Sequence, residues 1–529
     1  MKTPAYFNSL IALAILTLSA GILHADIRPN PLFTDGAVLQ RDQVIPVWGT
    51  ARDGEKVTVE IGGQKVSTIA KNGVWRVDLK PLSVGEPLTM TLTGDNTVTI
   101  KNLLVGEVWI CSGQSNMSFH FAECANAAEE RPQANYPKIR MFTVAQKTSR
   151  KPLAEAAGRW VECSPQTVNS FSAVGYFFAR DLYQKLGVPI GMIHTSWGGT
   201  PAQAWTSIEG LSQDPALSSY RDAANAALAK YPAELAAYSA KLTAFKTAKE
   251  NWEKSVNKPY EESLKAWMAA AAEAKKAGQP IPSKPVLASK SPAPPGSPEG
   301  GSSSETVLFN GMVNPLIPYA IKGAIWYQGE SNAKQPKLYQ SLFPDMIADW
   351  RAKWNQGNFP FLFVQIAPFK GQPPEIREAQ FLTLSKSPNT AMAVTTDVGN
   401  PNNIHPTHKE PVGQRLALAA RALAYGEKIE FSGPLYQSMQ VKGSEVVLSF
   451  THVGGGLVAK DGALKGFTIA GADGKFVPAT AKIEGTNIIV SAASVTEPKA
   501  VRYGWDNVPD VNLFNQEGIP ASPFRTDVE

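Results

Sequence analysis

The chain has 529 residues, 43% of them apolar and 18% charged, with a formal net charge of +5. Such a length is too great for one ordinary domain and such a composition belongs to soluble globular proteins, so two to four domains with full cores are expected. No cluster of five or more Lys and Arg marks a nucleic-acid partner, and three cysteines are too few for a disulfide scaffold.

The first 25 residues carry Lys2, an apolar run over 10–23 and a small residue at Ala25, the pattern of a secretory signal peptide. The run is shorter than the roughly 20 residues a membrane span needs, and no later stretch is longer, so a secreted or periplasmic protein without a membrane anchor is expected. From 26 to 104, short β-type runs (57–61, 74–79, 88–92) alternate with Gly-Gly, Asn-Gly and Gly-Asp turns, which predicts a small antiparallel β-sandwich.

At 105 the pattern changes. Apolar strand signals at 108–111, 190–194, 321–327, 361–366 and 392–395 alternate with helical stretches at 174–186, 338–354 and 411–424. This alternation predicts a parallel, doubly wound α/β sheet over 105–427, whose ligands bind at the carboxyl ends of the strands. An insertion interrupts it at about 210–305. There Leu228, Tyr231, Leu235, Tyr238, Leu242 and Phe245 recur at spacings of three and four, and a second Ala-rich stretch carries Leu264, Trp267 and Met268. The two stretches predict a helical hairpin, with the stripe as its packing surface, followed by a Pro/Ser/Gly linker over 280–304. From 428 to 529, alternating runs such as 445–450 and 487–491 predict a closing β-rich domain.

Chemistry gathers at the strand ends. Cys111-Ser112-Gly113-Gln114-Ser115-Asn116-Met117 follows the first strand of the α/β region, and a serine two positions after a glycine can project from a sharp strand-to-helix turn. Serine hydrolysis needs a base for the hydroxyl proton, a group to orient that base, and donors for the oxyanion. His405, between the last strand and the last helix, is the candidate base. The backbone N–H of Ser115, that of Gly199 in Trp197-Gly198-Gly199-Thr200, and the side-chain amide of Gln328 are the candidate oxyanion donors. Glu330 can hold Gln328 or meet substrate, and Arg377 can meet a sugar carboxylate or anchor a loop. His405 and His408 have metal-like spacing, but Pro406-Thr407 between them prevents a helical pair and no other ligand lies near, so neither metal nor cofactor is expected. Cys111, Cys124 and Cys163 leave room for one disulfide and one free thiol.

The Cys-Ser-Gly-Gln-Ser-Asn-Met block, Trp197-Gly198-Gly199-Thr200-Pro201, Trp326-Tyr327-Gln328-Gly329-Glu330-Ser331-Asn332, Ile376-Arg377-Glu378-Ala379-Gln380 and Asn403-Ile404-His405-Pro406 resemble, in that order, the sialate O-acetylesterase family of the SGNH hydrolase superfamily. The resemblance runs from about residue 32 past Arg415. It implies a flavodoxin-like three-layer α/β/α domain, a nucleophile at Ser115, a base at His405, and deacetylation of O-acetylated carbohydrate outside the cytoplasm. The superfamily often has an aspartate three residues before the histidine, where this chain has Asn402. Asp397 is then the first candidate to complete the triad and Glu410 the second; otherwise a Ser-His dyad operates. Acetylxylan or another plant-polysaccharide ester is the rival substrate. A carbohydrate-binding protein with weakened catalysis is the rival outside enzymes.

Overall fold

The computed structural model describes residues 26–527, so the expected signal peptide at 1–25 lies outside the described residues. The fold is mixed α/β with several sheets. Its frame is one long strand. After β1 (Val38–Gln40) and β2 (Leu88–Thr93), β3 runs unbroken from Thr97 to Gly113. The first part of β3 pairs antiparallel with β2 and its middle pairs parallel with β1, so the position 104/105 falls inside a strand rather than a linker. Its last part enters the large sheet with β4 (Tyr136–Thr143), β5 (Trp160–Cys163), β6 (Ile190–Ser196), β7 (Gly323–Tyr327), β8 (Phe361–Val364) and β9 (Thr390–Ala393), in the order β5-β4-β6-β3-β7-β8-β9. Only the β5 edge is antiparallel within that path. β3 has a later strand on either side, so strand order reverses at its carboxyl end, where open α/β sheets form binding crevices.

Helices α1 (Ala173–Leu186), α4 (Pro336–Trp354), α5 (Pro374–Lys386) and α6 (Glu410–Tyr425) cover the sheet, with α2 (Ser218–Trp252) and α3 (Lys258–Lys276) in the insertion. Trp109 of β3 packs edge-on against Phe178 of α1 and donates to the Tyr425 hydroxyl of α6 at 3.1 Å. Trp326 of β7 is the register partner of Ser112, so it points to the opposite face, where Phe343 and Trp350 of α4 meet it. Trp109, Trp326 and Trp350 are fully buried, each contributing about 2–3 kcal/mol of hydrophobic stabilisation. One apolar core runs from Ile27 to Ala420, and a second, from Val446 to Phe524, belongs to the C-terminal sheets.

The insertion is not a helical hairpin. α2 (Ser218–Trp252) passes through a π-turn, Glu253–Asn257, into α3 (Lys258–Lys276) with right-handed helical torsions at Trp252, Asn257 and Lys258, so the chain continues forward as one rod of roughly 90 Å. The π-turn ends just before Pro259, whose ring and missing N–H would break a regular α-turn. It also absorbs one residue of register. Tyr231, Tyr238, Phe245 and Trp252 recur every seven residues, and Tyr260 and Trp267 resume the same stripe after a step of eight. The Pro-rich segment 277–299 is no free linker but returns along this stripe. Trp267 Nε1 donates to Pro282 O at 2.7 Å, Trp252 Nε1 to Ser289 O at 3.0 Å, and the Tyr231 hydroxyl to Glu299 Oε1 at 2.6 Å.

No helix among the described residues is long and apolar enough to cross a membrane. The three cysteines are buried and free, so the one bridge that their number leaves room for is not formed.

Candidate active site

At the end of β3, Gly113 adopts φ +137°, and a Cβ there would lie 2.2 Å from the Tyr327 carbonyl oxygen. Only glycine lets the two backbones approach this closely, and the same carbonyl accepts the Gln114 N–H at 2.9 Å. The chain then turns into the short helix Ser115–Ser118, leaving the Ser115 side chain half-buried at the sheet's carboxyl edge.

His405 meets it there. Its Nε2 lies 2.7 Å from Ser115 Oγ, across 290 positions of sequence. The histidine loop is braced locally: Asn400 Oδ1 accepts the N–H of Asn402 and Asn403, and Asn403 Oδ1 accepts that of His405 at 2.9 Å. Burial, reinforced by the Lys409 cation and opposed by Glu123, holds the imidazole below its ordinary value. A neutral imidazole sharing a proton with a serine hydroxyl is the arrangement from which an alkoxide can be generated.

After β6, Trp197 N–H donates back to Gly113 O at 3.1 Å, which brings the glycine turn over the serine. A Cβ on Gly198 would stand 3.3 Å from Ser115 Cβ, and Gly199 follows at φ +73° with open space around it. Among the described residues, nothing accepts a hydrogen bond from the backbone N–H of Ser115 or Gly199, so both donors are free to face an oxyanion.

Several expected partners are elsewhere. Asp397 does not reach the imidazole, because Arg415 of α6 takes both its oxygens. Glu410 is held by Arg180 and Asn126 at 2.6 Å each. No described residue bonds His405 Nδ1. Asn402 is exposed and its carbonyl accepts from Lys370 at 2.8 Å, so it does not orient the ring. Gln328 is fully buried, with its amide donating to Thr200 O and Asn332 Oδ1 and accepting from Tyr339, and it offers no donor to an oxyanion. Arg377 is also fully buried; it caps the Asp506 and Asn507 carbonyls of the C-terminal region and anchors rather than binds.

Glu330 supports the site from behind, accepting from Asn116 Nδ2 at 2.6 Å. Asn116 and Lys409 were missed from sequence. Asn116 lies inside the Ser115 motif, next to the serine, and Lys409 four places after His405, and only their burial marks them out.

Comparison with known proteins agrees with the blocks that build this site. A family model described as carbohydrate esterase, sialic acid-specific acetylesterase, matches residues 105–238 and 304–422. The sialate O-acetylesterase of Rattus norvegicus is 30% identical over 537 residues, 91% of each chain, and that of Homo sapiens is 29% identical, covering 95% of this chain and 94% of the human one. Among solved structures, a carbohydrate acetylesterase from Xanthomonas citri is 34% identical with a TM-score of 0.77, covering 95% of this chain and 100% of that one. The chain therefore belongs to the sialic acid-specific acetylesterase family of carbohydrate esterases.

Proposed function

We propose that this chain releases acetate from O-acetylated sugars, O-acetylated sialic acid foremost, through a serine acetyl-enzyme. Ser115 Oγ attacks the acetyl carbonyl while His405 Nε2 takes its proton. The backbone N–H groups of Ser115 and Gly199 hold the oxyanion, and the imidazolium returns the proton to the leaving sugar hydroxyl. Water, deprotonated by the same imidazole, then adds to the acetyl-enzyme, and acetate leaves as Ser115 regains its proton. The observation that carries this reading is the 2.7 Å approach of Ser115 Oγ to His405 Nε2. With no carboxylate on Nδ1, the pair works as a dyad.

A parallel sheet with helices on both faces and Ser115 at the reversal of strand order suits an SGNH-type hydrolase domain over 105–427. It would be flanked by β-rich domains at 26–104 and 428–529. The apolar leader at 1–25 supports secreted or periplasmic placement.

The test is acetate release by the full chain and by Ser115→Ala from O-acetylated sialic acid, acetylated xylan and p-nitrophenyl acetate. Sialate turnover that exceeds xylan turnover and vanishes in Ser115→Ala supports the reading. Preference for xylan moves the substrate to plant polysaccharide, absence of turnover on all three makes the chain a binding protein, and activity retained by Ser115→Ala removes the nucleophile.

A further inference from the structure

Behind the reacting pair lies a buried polar chain that the chemistry above does not use. Asn116 is fully buried; its Nδ2 donates to Glu330 Oε1 at 2.6 Å and to Ile404 O at 3.0 Å, and its Oδ1 accepts from Lys409 Nζ at 2.5 Å. Lys409 is also fully buried, with its ammonium 4.8 Å from the Phe119 ring and 5.2 Å from that of Tyr327. The second oxygen of Glu330, Oε2, has no hydrogen-bond partner among the described residues.

The chemistry fixes the orientation of the amide. An ammonium only donates and a carboxylate only accepts, so the Asn116 carbonyl must face Lys409 and its NH₂ must face Glu330 and Ile404. A cation and an anion kept out of water, and linked through one neutral amide rather than in contact, form a costly arrangement that apolar side chains would replace without penalty. What the arrangement provides is position. Asn116 is the next residue after Ser115, and the Ile404 carbonyl belongs to the peptide that enters His405. Glu330 is set just beyond β7 and Lys409 just before α6, so two rigid elements clamp the amide that joins the two loops.

We propose that Asn116, Glu330 and Lys409 are positioning residues, a charged bridge that fixes the distance between Ser115 and His405 and biases the imidazole toward its proton-accepting form. The inference rests on Ser115 and His405 being the reacting pair. The bias is electrostatic: the Lys409 cation faces His405, and Glu123 opposes it from the loop after Ser115. Lys409 is itself faced by Glu330 and by the Cys124 thiol, while burial pulls it down to about 7. It is therefore charged across the acidic range in which His405 titrates. Burial pushes Glu330 up, against the pull of Asn116 and Lys409.

The test uses Lys409→Met and Glu330→Gln in the full chain, with p-nitrophenyl acetate kinetics between about pH 5 and 9 and NMR titration of the His405 imidazole, a readout that needs no turnover. Lys409→Met is expected to lower kcat by about 10- to 100-fold with KM within about 3-fold, and to move the His405 titration and the acidic limb of the rate upward. Glu330→Gln keeps an acceptor for Asn116 but removes the anion, so Lys409 loses its proton more readily and His405 again titrates higher. A folded Lys409→Met whose kcat and His405 titration are unchanged overturns the proposal. So does a loss of activity that only tracks the folded fraction. If Lys409→Met does not fold, an unmoved His405 titration in Glu330→Gln overturns it alone. Failure of the underlying reading looks different, since turnover would then persist in Ser115→Ala whatever these variants do.

Discussion

Arg415 grips Asp397 through two parallel hydrogen bonds, 2.7 Å to Oδ1 and 2.6 Å to Oδ2, and also donates to Val394 O. The carboxylate that would complete a triad thus ties the end of β9 to α6 instead of orienting His405. Asp397→Asn should change aryl-acetate kcat by less than about 10-fold, where the same change in a serine-protease triad costs about 10⁴. Its effect should fall on stability, by about 1–3 kcal/mol, because a partly buried guanidinium loses its charge partner. Thermal unfolding and steady-state kinetics on one preparation separate the two, and a kcat loss near 10⁴ would return Asp397 to the imidazole.

Activity and stability should fail at different acidities. His405 must be neutral to accept the serine proton, and its value is held below 6.5, so kcat/KM should decline only as pH falls through a point under 6.5. His194, fully buried between the Ser196 hydroxyl and the Phe171 ring, is pulled down to about 4 by burial. Between about 6.5 and 4 the unfolded chain binds a proton there that the native state refuses, so stability drops with falling pH by about 3 kcal/mol across that window and levels off below it. His194→Gln should flatten this slope in urea unfolding measured from pH 7 to about 4; an unchanged slope would show that the ring does not titrate on unfolding.

The three thiols should be silent in the folded protein. Burial pushes Cys111, Cys124 and Cys163 each up to about 12, leaving almost no thiolate at neutral pH. A chromogenic disulfide reagent should find no thiol in the native chain and three after unfolding, and a reductant should leave Tm unchanged. Rapid native labelling, or fewer than three thiols in denaturant, would contradict the buried, unbridged arrangement.

Sequence patterning was informative where an element has one apolar face or a motif marks a strand end. Ser115 Oγ and His405 Nε2 lie 2.7 Å apart because each residue follows a Val-, Ile- or Met-bearing strand of one parallel sheet. Periodicity failed at α5, whose inward face carries Arg377, Gln380 and Thr383, all fully buried. A polar face satisfied by backbone carbonyls looks like a solvent face until its partners are known. The same blindness displaced Gln328 and Asp397: residue type shows that a side chain can donate or accept, but competitors such as Asn332 and Arg415 decide where it does so. It also hid Lys409, since a lysine four places after a histidine reads as surface.

The long helix and its returning strap should be dispensable for chemistry on a small ester. Beyond Ala224 no residue of α2 is buried, and none is in α3, so past that residue the rod adds nothing to the main core. Its stripe of Tyr231, Tyr238, Phe245, Trp252, Tyr260 and Trp267 is shielded by the strap, with Lys151 over the Tyr231 ring at 5.9 Å. The two ends meet at the base, where Glu299 accepts from the Tyr231 hydroxyl at 2.6 Å and from the Arg150 N–H at 2.9 Å. Removing 232–298 and joining Tyr231 to Glu299 by a short Gly-Ser linker therefore closes a gap that the fold has already brought together, at little entropic cost. Aryl-acetate kcat/KM should stay within about 3-fold of the full chain and the main thermal transition should be retained. A loss beyond about 10-fold would mean that the rod reaches the Ser115 site, whereas a loss confined to polymeric acetylated glycans would assign it to holding large substrates.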